Sequence, residues 1–457
     1  MKLERGQLMR LMQRCEFPSL FSFLLFLVAG GALLGLVPVA RGQNPPPSVT
    51  HIRGEAPADG ASRQALDTAQ AAMDRKDYAG AVKVCTDYLK KTPNDAAVHF
   101  ELGYAYTAMK RAPDAEREYR RASELDPKME PAFLNLGLTL LEGHPADAVA
   151  PLQRAAELAP NEGRPKLLLA IAYEHAGNDS AAAEQFRGAL AADAKNFDAQ
   201  LELARLLLKM KQYAEASSEF RRAIELQPDS SVAHLGMARS LAAQHLNSEA
   251  DAELAAYLKL QPDDVDIRVE HAILLSDMDK NEEAVAELDR AAAVRPEDVT
   301  SLKLRAVLAF RQKNYDAALV ALQKAAAIAP NDADVHARIG HMFLEKKDYA
   351  GAVRELATAY RIDPQDDTNK DLLAAQYLGG NYHAALELID YLSKKETLSK
   401  GAWFVRANCY DKMNQKQEAL DAYKKFLELN GDQNNDQYFA AAERVRILDR
   451  EIKEHKK

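Results

Sequence analysis

The phrase Lys76-Asp77-Tyr78-Ala79-Gly80-Ala81-Val82 returns letter for letter as Lys347-Asp348-Tyr349-Ala350-Gly351-Ala352-Val353, 271 residues on and one short of eight steps of 34. Prolines carry the same step through the chain: Pro93, Pro127, Pro160, Pro228, Pro262, Pro296, Pro330 and Pro364, with one 33-residue interval and a double interval across Ala194. Proline cannot continue a helix, so each marks a stop. Placing every proline at position 32 of a repeat gives starts at 62, 96, 130, 163, 197, 231, 265, 299, 333, 367 and 400. That is eleven repeats, with one-residue deletions in the third and tenth.

Two helices of about a dozen residues fit inside each repeat at the usual length of a short hairpin. Small residues recur at position 8, from Ala69, Gly103 and Gly137 to Ala306, Gly340, Ala374 and Ala407. They recur at position 20, from Ala81 and Ala115 through Ala216 to Ala385 and Ala419. Antiparallel helices approach closely only where side chains are small. Large apolar residues at positions 7, 11 and 24, such as Leu102, Tyr106 and Tyr119, fill the space beside them. In the opening phrase Lys-Asp is expected in the turn, Tyr at the start of the second helix, and Gly-Ala where the hairpin closes.

This pattern resembles the tetratricopeptide repeat (TPR), whose consensus has Leu-Gly at positions 7–8, Tyr at 11, Ala at 20, an aromatic at 24 and Pro at 32. Repeat 96–129 supplies Leu102-Gly103, Tyr106, Ala115, Tyr119, Ala122 and Pro127, and the eleventh repeat supplies Trp403, Tyr410, Ala419 and Tyr423. The resemblance spans 62–432. It implies an all-α fold, a right-handed α-solenoid of about eleven helix hairpins whose first helices line a concave groove. Residues 433–457 show helical apolar spacing at Phe439, Val445, Leu448 and Ile452 and a charged tail, which suits a capping helix with a polar outer face.

The amino terminus has the layout of a secretory signal, with Lys2, Arg5, Arg10 and Arg14 before an uncharged apolar run, Leu20–Val37, and small residues near Ala40 and Gly42. Residues 1–42 are expected to be a cleaved signal peptide or, alternatively, an inner-membrane anchor. Either places the array outside the cytoplasm, periplasmic or secreted. Membrane contact is expected only through this segment if it stays uncleaved. Residues 43–61, rich in Pro and Gly, read as a flexible linker.

A net charge of −9 argues against nucleic acid as partner, since phosphate binding needs a basic face. Three cysteines are too few for a disulfide framework. His99, His234 and His336 all fall at position 4 of separate repeats, where a packing role is expected. No paired-carboxylate, nucleophile, phosphate-loop or zinc pattern appears, so the reading is no enzyme, no metal and no cofactor.

The resemblance places positions 2, 5, 9, 12 and 13 on the groove. Phe100, Tyr104, Leu134, Leu138, Leu141, Leu167 and Ile171 make it apolar early in the array, and Arg205, Arg239 and Arg311, with Lys209, Lys303, Asp277, Asp334 and Glu345, make it charged later. The family's carboxylate clamp is incomplete: Asn135 fills its middle role, but Phe100, Tyr104, Arg164 and Leu168 occupy the flanking positions. The function these features imply is a non-catalytic scaffold binding a partner polypeptide in the groove, in envelope assembly or secretion. The alternative is an accessory subunit of an envelope polysaccharide synthesis or export complex, which would use the aromatics Phe100, Tyr104, Phe310 and Phe404.

Overall fold

The computed structural model describes residues 60–364, 366–394, 397–429 and 436–455; the expected signal segment and nearly all of the expected linker lie outside the described residues. Among the described residues there are 23 α-helices and no strand. None of these helices is long and apolar enough to cross a membrane. Contacts divide the chain into two compact units, with the boundary between Pro262 and Asp263.

The amino-terminal unit holds six hairpins: α1 (Gly60–Asp74) with α2 (Tyr78–Leu89), α3 (Ala96–Ala108) with α4 (Ala112–Leu125), α5 (Glu130–Leu141) with α6 (Pro145–Leu158), α7 (Gly163–His175) with α8 (Asp179–Ala192), α9 (Phe197–Lys209) with α10 (Tyr213–Leu226), and α11 (Ser231–Ala242) with α12 (Asn247–Leu260). The carboxy-terminal unit holds five: α13 (Val265–Asp277) with α14 (Asn281–Val294), α15 (Val299–Arg311) with α16 (Tyr315–Ile328), α17 (Ala333–Glu345) with α18 (Tyr349–Ile362), α19 (Asp366–Leu378) with α20 (Tyr382–Ser393), and α21 (Lys400–Lys412) with α22 (Lys416–Leu429). A last helix, α23 (Asp436–His455), packs on α22.

Local chemistry sets the hairpin ends. First helices begin on capping side chains, among them Asp95, Asn196, Ser230, Asp264, Asp298, Asp332 and Ser399, each accepting a first-turn amide proton. Such a cap contributes about 1 kcal/mol. Ten of the eleven end on a left-handed residue at position 15: Lys76, Lys110, Lys211, His245, Asp279, Lys313, Lys347 and Asn414 all have positive φ, and glycines 177 and 380 take the place in two other repeats. The geometry satisfies the last carbonyls of the helix: the amides of Lys76 and Asp77 donate to Met73 and Ala72, and those of Lys347 and Asp348 to Leu344 and Phe343.

In the repeated phrase Asp77 and Asp348 then cap the second helix through the amides of Gly80 (2.9 Å) and Gly351 (3.0 Å). A Cβ on Gly80 would sit 2.1 Å from Asp77 Oδ2, and one on Gly351 would sit 2.6 Å from Asp348 Oδ2. The glycine therefore makes room for its own cap, whereas the sequence pattern alone suggested hairpin closure.

Closure belongs to positions 8, 20 and 24. Every position-20 alanine, from Ala81 to Ala419, is fully buried. At position 8 an added Cβ on Gly103 would meet the Tyr119 ring at 2.8 Å, and one on Gly340 would meet Leu356 Cγ at 2.4 Å. The partners sit at position 24, and Cys85 holds that place in the first repeat. Burial pushes its thiol, and that of Cys409 in the other unit, up to about 12; both are free.

The expected frame needs two corrections. Counted back from Gly380, the tenth repeat places Leu373, not Ala374, at position 8. Leu373 is buried and Ala374 only partly so, which puts the deletion ahead of α19. On α23 the buried side is Gln437, Ala441 and Leu448, with Val445 and Ile452 partly buried, while Phe439 is 59 % exposed on the outer side. Arg444 fastens this helix with two 2.7 Å bonds to Asp411.

Overpacking the closest approach is expected to be costly. Ala216→Leu should lower stability by about 1–3 kcal/mol, read as a shifted urea midpoint against a surface control such as Glu215→Leu.

Candidate partner-binding surface

First helices of neighbouring repeats touch one another directly, α1 with α3, α5 with α7 and α9 with α11 in the amino-terminal unit, and α13 with α15 and α17 with α19 in the carboxy-terminal unit. Side chains on this shared face are therefore squeezed between helices. Those at its margins reach solvent and those at its centre become core.

That division splits the expected apolar residues. Phe100, Leu134 and Leu141 are 5, 3 and 9 % exposed and belong to the core, Phe100 with its ring 5.7 Å from that of Tyr119. All three belong to one buried cluster, Phe100 against its own second helix, although Leu167 at the same position 5 as Phe100 and Leu134 is only half-buried. Tyr104, Leu138, Leu167 and Ile171 remain half-buried, on the successive helices α3, α5 and α7. Three of the four lean on the core cluster. Burial, with the nearby charge of Glu101, raises the Tyr104 hydroxyl above its ordinary value. Asn135 is 1 % exposed and lies inside the hairpin packing.

The charged residues are engaged within the protein. Arg205 is half-buried and pairs with Glu202 at 2.7 Å. Lys209 reaches Asp179 of the preceding hairpin at 2.7 Å. Arg239 is half-buried. In the other unit Arg311 bonds Ser276 Oγ at 2.7 Å and its carbonyl at 3.2 Å, and Lys303 meets Asp332 at 2.7 Å and Asp334 at 3.0 Å. The Arg311 and Lys303 bonds tie one first helix to the next or to its cap, and the Lys209 bond ties a first helix to the second helix before it, so part of the polar face braces the stack.

One group was not legible from spacing. His341 of α17 bonds Asp371 of α19 at 3.1 Å and meets the edge of Phe310 from α15, which brings positions 9 and 12 of adjacent repeats together. Comparing His341 only with His336, five residues earlier, hides this contact. Among the described residues no group of three or more His, Cys, Asp or Glu could hold a metal ion.

The repeat models of known families match this geometry. Models described as tetratricopeptide repeat match residues 72–136, 180–240, 207–267 and 309–376, others of the same description match 135–197 and 269–333, and a third matches 401–433. The chain belongs to the tetratricopeptide-repeat family. No curated protein matches this TPR chain. Solved structures similar to it include pilF of Pseudomonas aeruginosa, 23 % identical over 48 % of this chain and 98 % of that one, with a TM-score of 0.36. A tetratricopeptide repeat protein from Parabacteroides merdae is 18 % identical over 54 % of this chain and 98 % of its own, with a TM-score of 0.37. The C-terminal part of a TPR repeat-containing protein from Cytophaga hutchinsonii is 16 % identical over 59 % and 97 %, with a TM-score of 0.40. At these scores the likenesses carry no argument beyond the family.

Two outcomes follow from the burial pattern. Phe100→Ala should cost about 3–5 kcal/mol, while Tyr104→Ala should cost well under half of that, as measured by chemical unfolding. Glu130, at the first turn of α5, has its carboxyl raised to about 7 by burial and by Glu162, against the pull of Arg164. The unfolded chain then releases this proton first, so stability falls as pH rises from about 4.5 toward 7. Glu130→Gln should melt higher than the parent at pH 8 and show no such gain at pH 4.

Proposed function

We propose that this TPR protein is an exported, non-catalytic scaffold that captures a partner polypeptide on the first-helix face of its amino-terminal unit, in envelope assembly or secretion. The observation that carries the reading is the row of half-buried apolar side chains, Tyr104, Leu138, Leu167 and Ile171, on three consecutive first helices. Such side chains offer apolar area without a large loss of rotamer freedom, because the core already holds one side of each. An extended or helical segment with spaced apolar anchors suits a face of this kind. The family membership supports protein binding in general, and the basic-then-apolar amino terminus supports export.

The saccharide alternative draws on exposed aromatics. Phe100 and Phe404 are buried at 5 and 6 %, which leaves Tyr104 and Phe310 as its aromatic candidates. The polypeptide reading is therefore preferred.

The test uses photoreactive residues in place of Tyr104, Leu138 and Ile171, with crosslinking in envelope fractions and mass spectrometry of the adducts. A discrete protein partner is expected. The double variant Tyr104→Ala, Leu138→Ala should lose most of its capture while keeping its helical circular dichroism. Undiminished capture would count against this face, and recovery of the mature protein from the cytosol would count against export.

A further inference from the structure

His99, His234 and His336 make the same pair of contacts in three different repeats. The Nδ1 of each lies against a glutamate oxygen of its own second helix: Glu118 at 2.7 Å, Glu253 at 2.6 Å and Glu355 at 2.8 Å. The Nε2 of each lies 3.0 Å from a carbonyl oxygen in the turn that closes the preceding repeat, that of Pro93, Pro228 or Pro330. The three rings are 12, 12 and 13 % exposed at the side chain. Each ring thus ties together the helices of one hairpin and the end of the hairpin before it.

Bond inventory decides the protonation these contacts need. A backbone carbonyl only accepts, and an ionised carboxylate only accepts. Neutral imidazole has a single N–H and can satisfy one of the two, whereas imidazolium has two and satisfies both. Glu118 meets the requirement of being ionised: burial opposes the charge, but the bonds from His99 and Arg117 outweigh it and hold the carboxyl below its ordinary value. We propose that these three histidines are proton-operated joints, closed as imidazolium and opened when the ring loses its proton, so that acidification below neutrality stiffens the couplings between successive repeats.

In two other repeats the contact to the second-helix glutamate is made without a titratable ring. Gln200 donates to Glu219 Oε2 at 2.5 Å, and Arg268 donates to Glu287 at 2.6 Å, both from position 4 to position 23. The pH response is thereby confined to particular joints, two in the amino-terminal unit and one in the carboxy-terminal unit.

The charged groups around the rings set the direction. Glu118 faces His99, with Arg117 bonded to that carboxylate and Arg121 opposing the ring's charge; Asp95 caps the same helix. Glu253 faces His234, with uncharged Ser230 in the capping place. Glu355 faces His336, with Arg354 at 3.7 Å from that carboxylate; Asp332 caps the helix and is itself paired with Lys303. For His99, burial disfavours the cation, but the bonds to Glu118 and to the Pro93 carbonyl prevail and raise it above 6.5. The stabilisation is then fully present below about 6.5 and is lost as pH climbs through the raised value; on the acid side it fades as Glu118 protonates below about 4.5.

The test compares the full chain with the variant His99→Gln, His234→Gln, His336→Gln, which keeps the glutamate contact that Gln200 makes. Melting temperatures are taken between about pH 6 and pH 8.5. The parent is expected to lose several degrees over this range and the triple variant markedly less; His341 is present in both and drops out of the difference. Independently of any variant, nitrogen-15 spectra of histidine-labelled parent at about pH 5.5 should show both ring nitrogens of all three joints protonated. An equal pH dependence of parent and variant, or one unprotonated ring nitrogen at that pH, would overturn the proposal. Should the triple variant fail to fold, the spectra and the three single variants still decide it.

Discussion

Eleven alanines at position 20 are buried to the last square ångström, and each lets two helices of a hairpin come as close as their backbones allow. In ten of the eleven repeats the residue at position 8 is small as well, Leu373 being the exception, and in all but the first, which has Cys85, a large side chain at position 24 fills what the small ones leave open. Gly103 beneath Tyr119 and Gly340 beneath Leu356 show how little slack there is. Cys85 fills the same place as those large residues in the first repeat, where it serves as a small apolar side chain. Everything else in the molecule is arranged around hairpins held at this spacing.

The same closeness governs the face made by the first helices. Burial on this face changes from repeat to repeat, since Phe100 and Leu134 at position 5 are buried and Leu167 at the same position is half-buried. Tyr104 and Leu138, at position 9, are half-open. The charged residues farther along obey a similar rule. Arg311, Lys303 and His341 find partners on the adjoining first helix, and Lys209 finds one on the second helix of the preceding repeat, because a long side chain at the margin of a first helix comes within reach of the repeat beside it. A surface that reads from the sequence as an open charged groove is in large part internal bracing. Individual exposed pairs of this kind contribute little, but several of these are partly screened from water.

The polar joint between positions 4 and 23 adds a link the packing does not provide. Hydrophobic contacts hold a hairpin shut; the imidazole bridge ties the hairpin to the proline turn before it. The glutamate half of the joint is made by His, Gln or Arg in different repeats, and only the imidazole makes it depend on a proton.

The spacing of prolines and small residues determined the helix count, the hairpin topology and the family, because a repeat announces itself at every period and each period is checked by its neighbours. It also placed the three histidines at one shared position of separate repeats. What it could not determine was the orientation of residues whose exposure depends on the adjacent repeat: Phe100, Leu134 and Leu141 on the shared face, Phe439 on the last helix, and Leu373 in place of Ala374 where a deletion shifts the register. Apolar character is a property of one residue and can be read from one position. Burial is a property of the neighbours, which the chain brings together only after the hairpins have stacked. For the same reason the proline carbonyls that meet His99, His234 and His336 are invisible in the sequence, since a backbone acceptor has no letter of its own and only the fold decides what faces it.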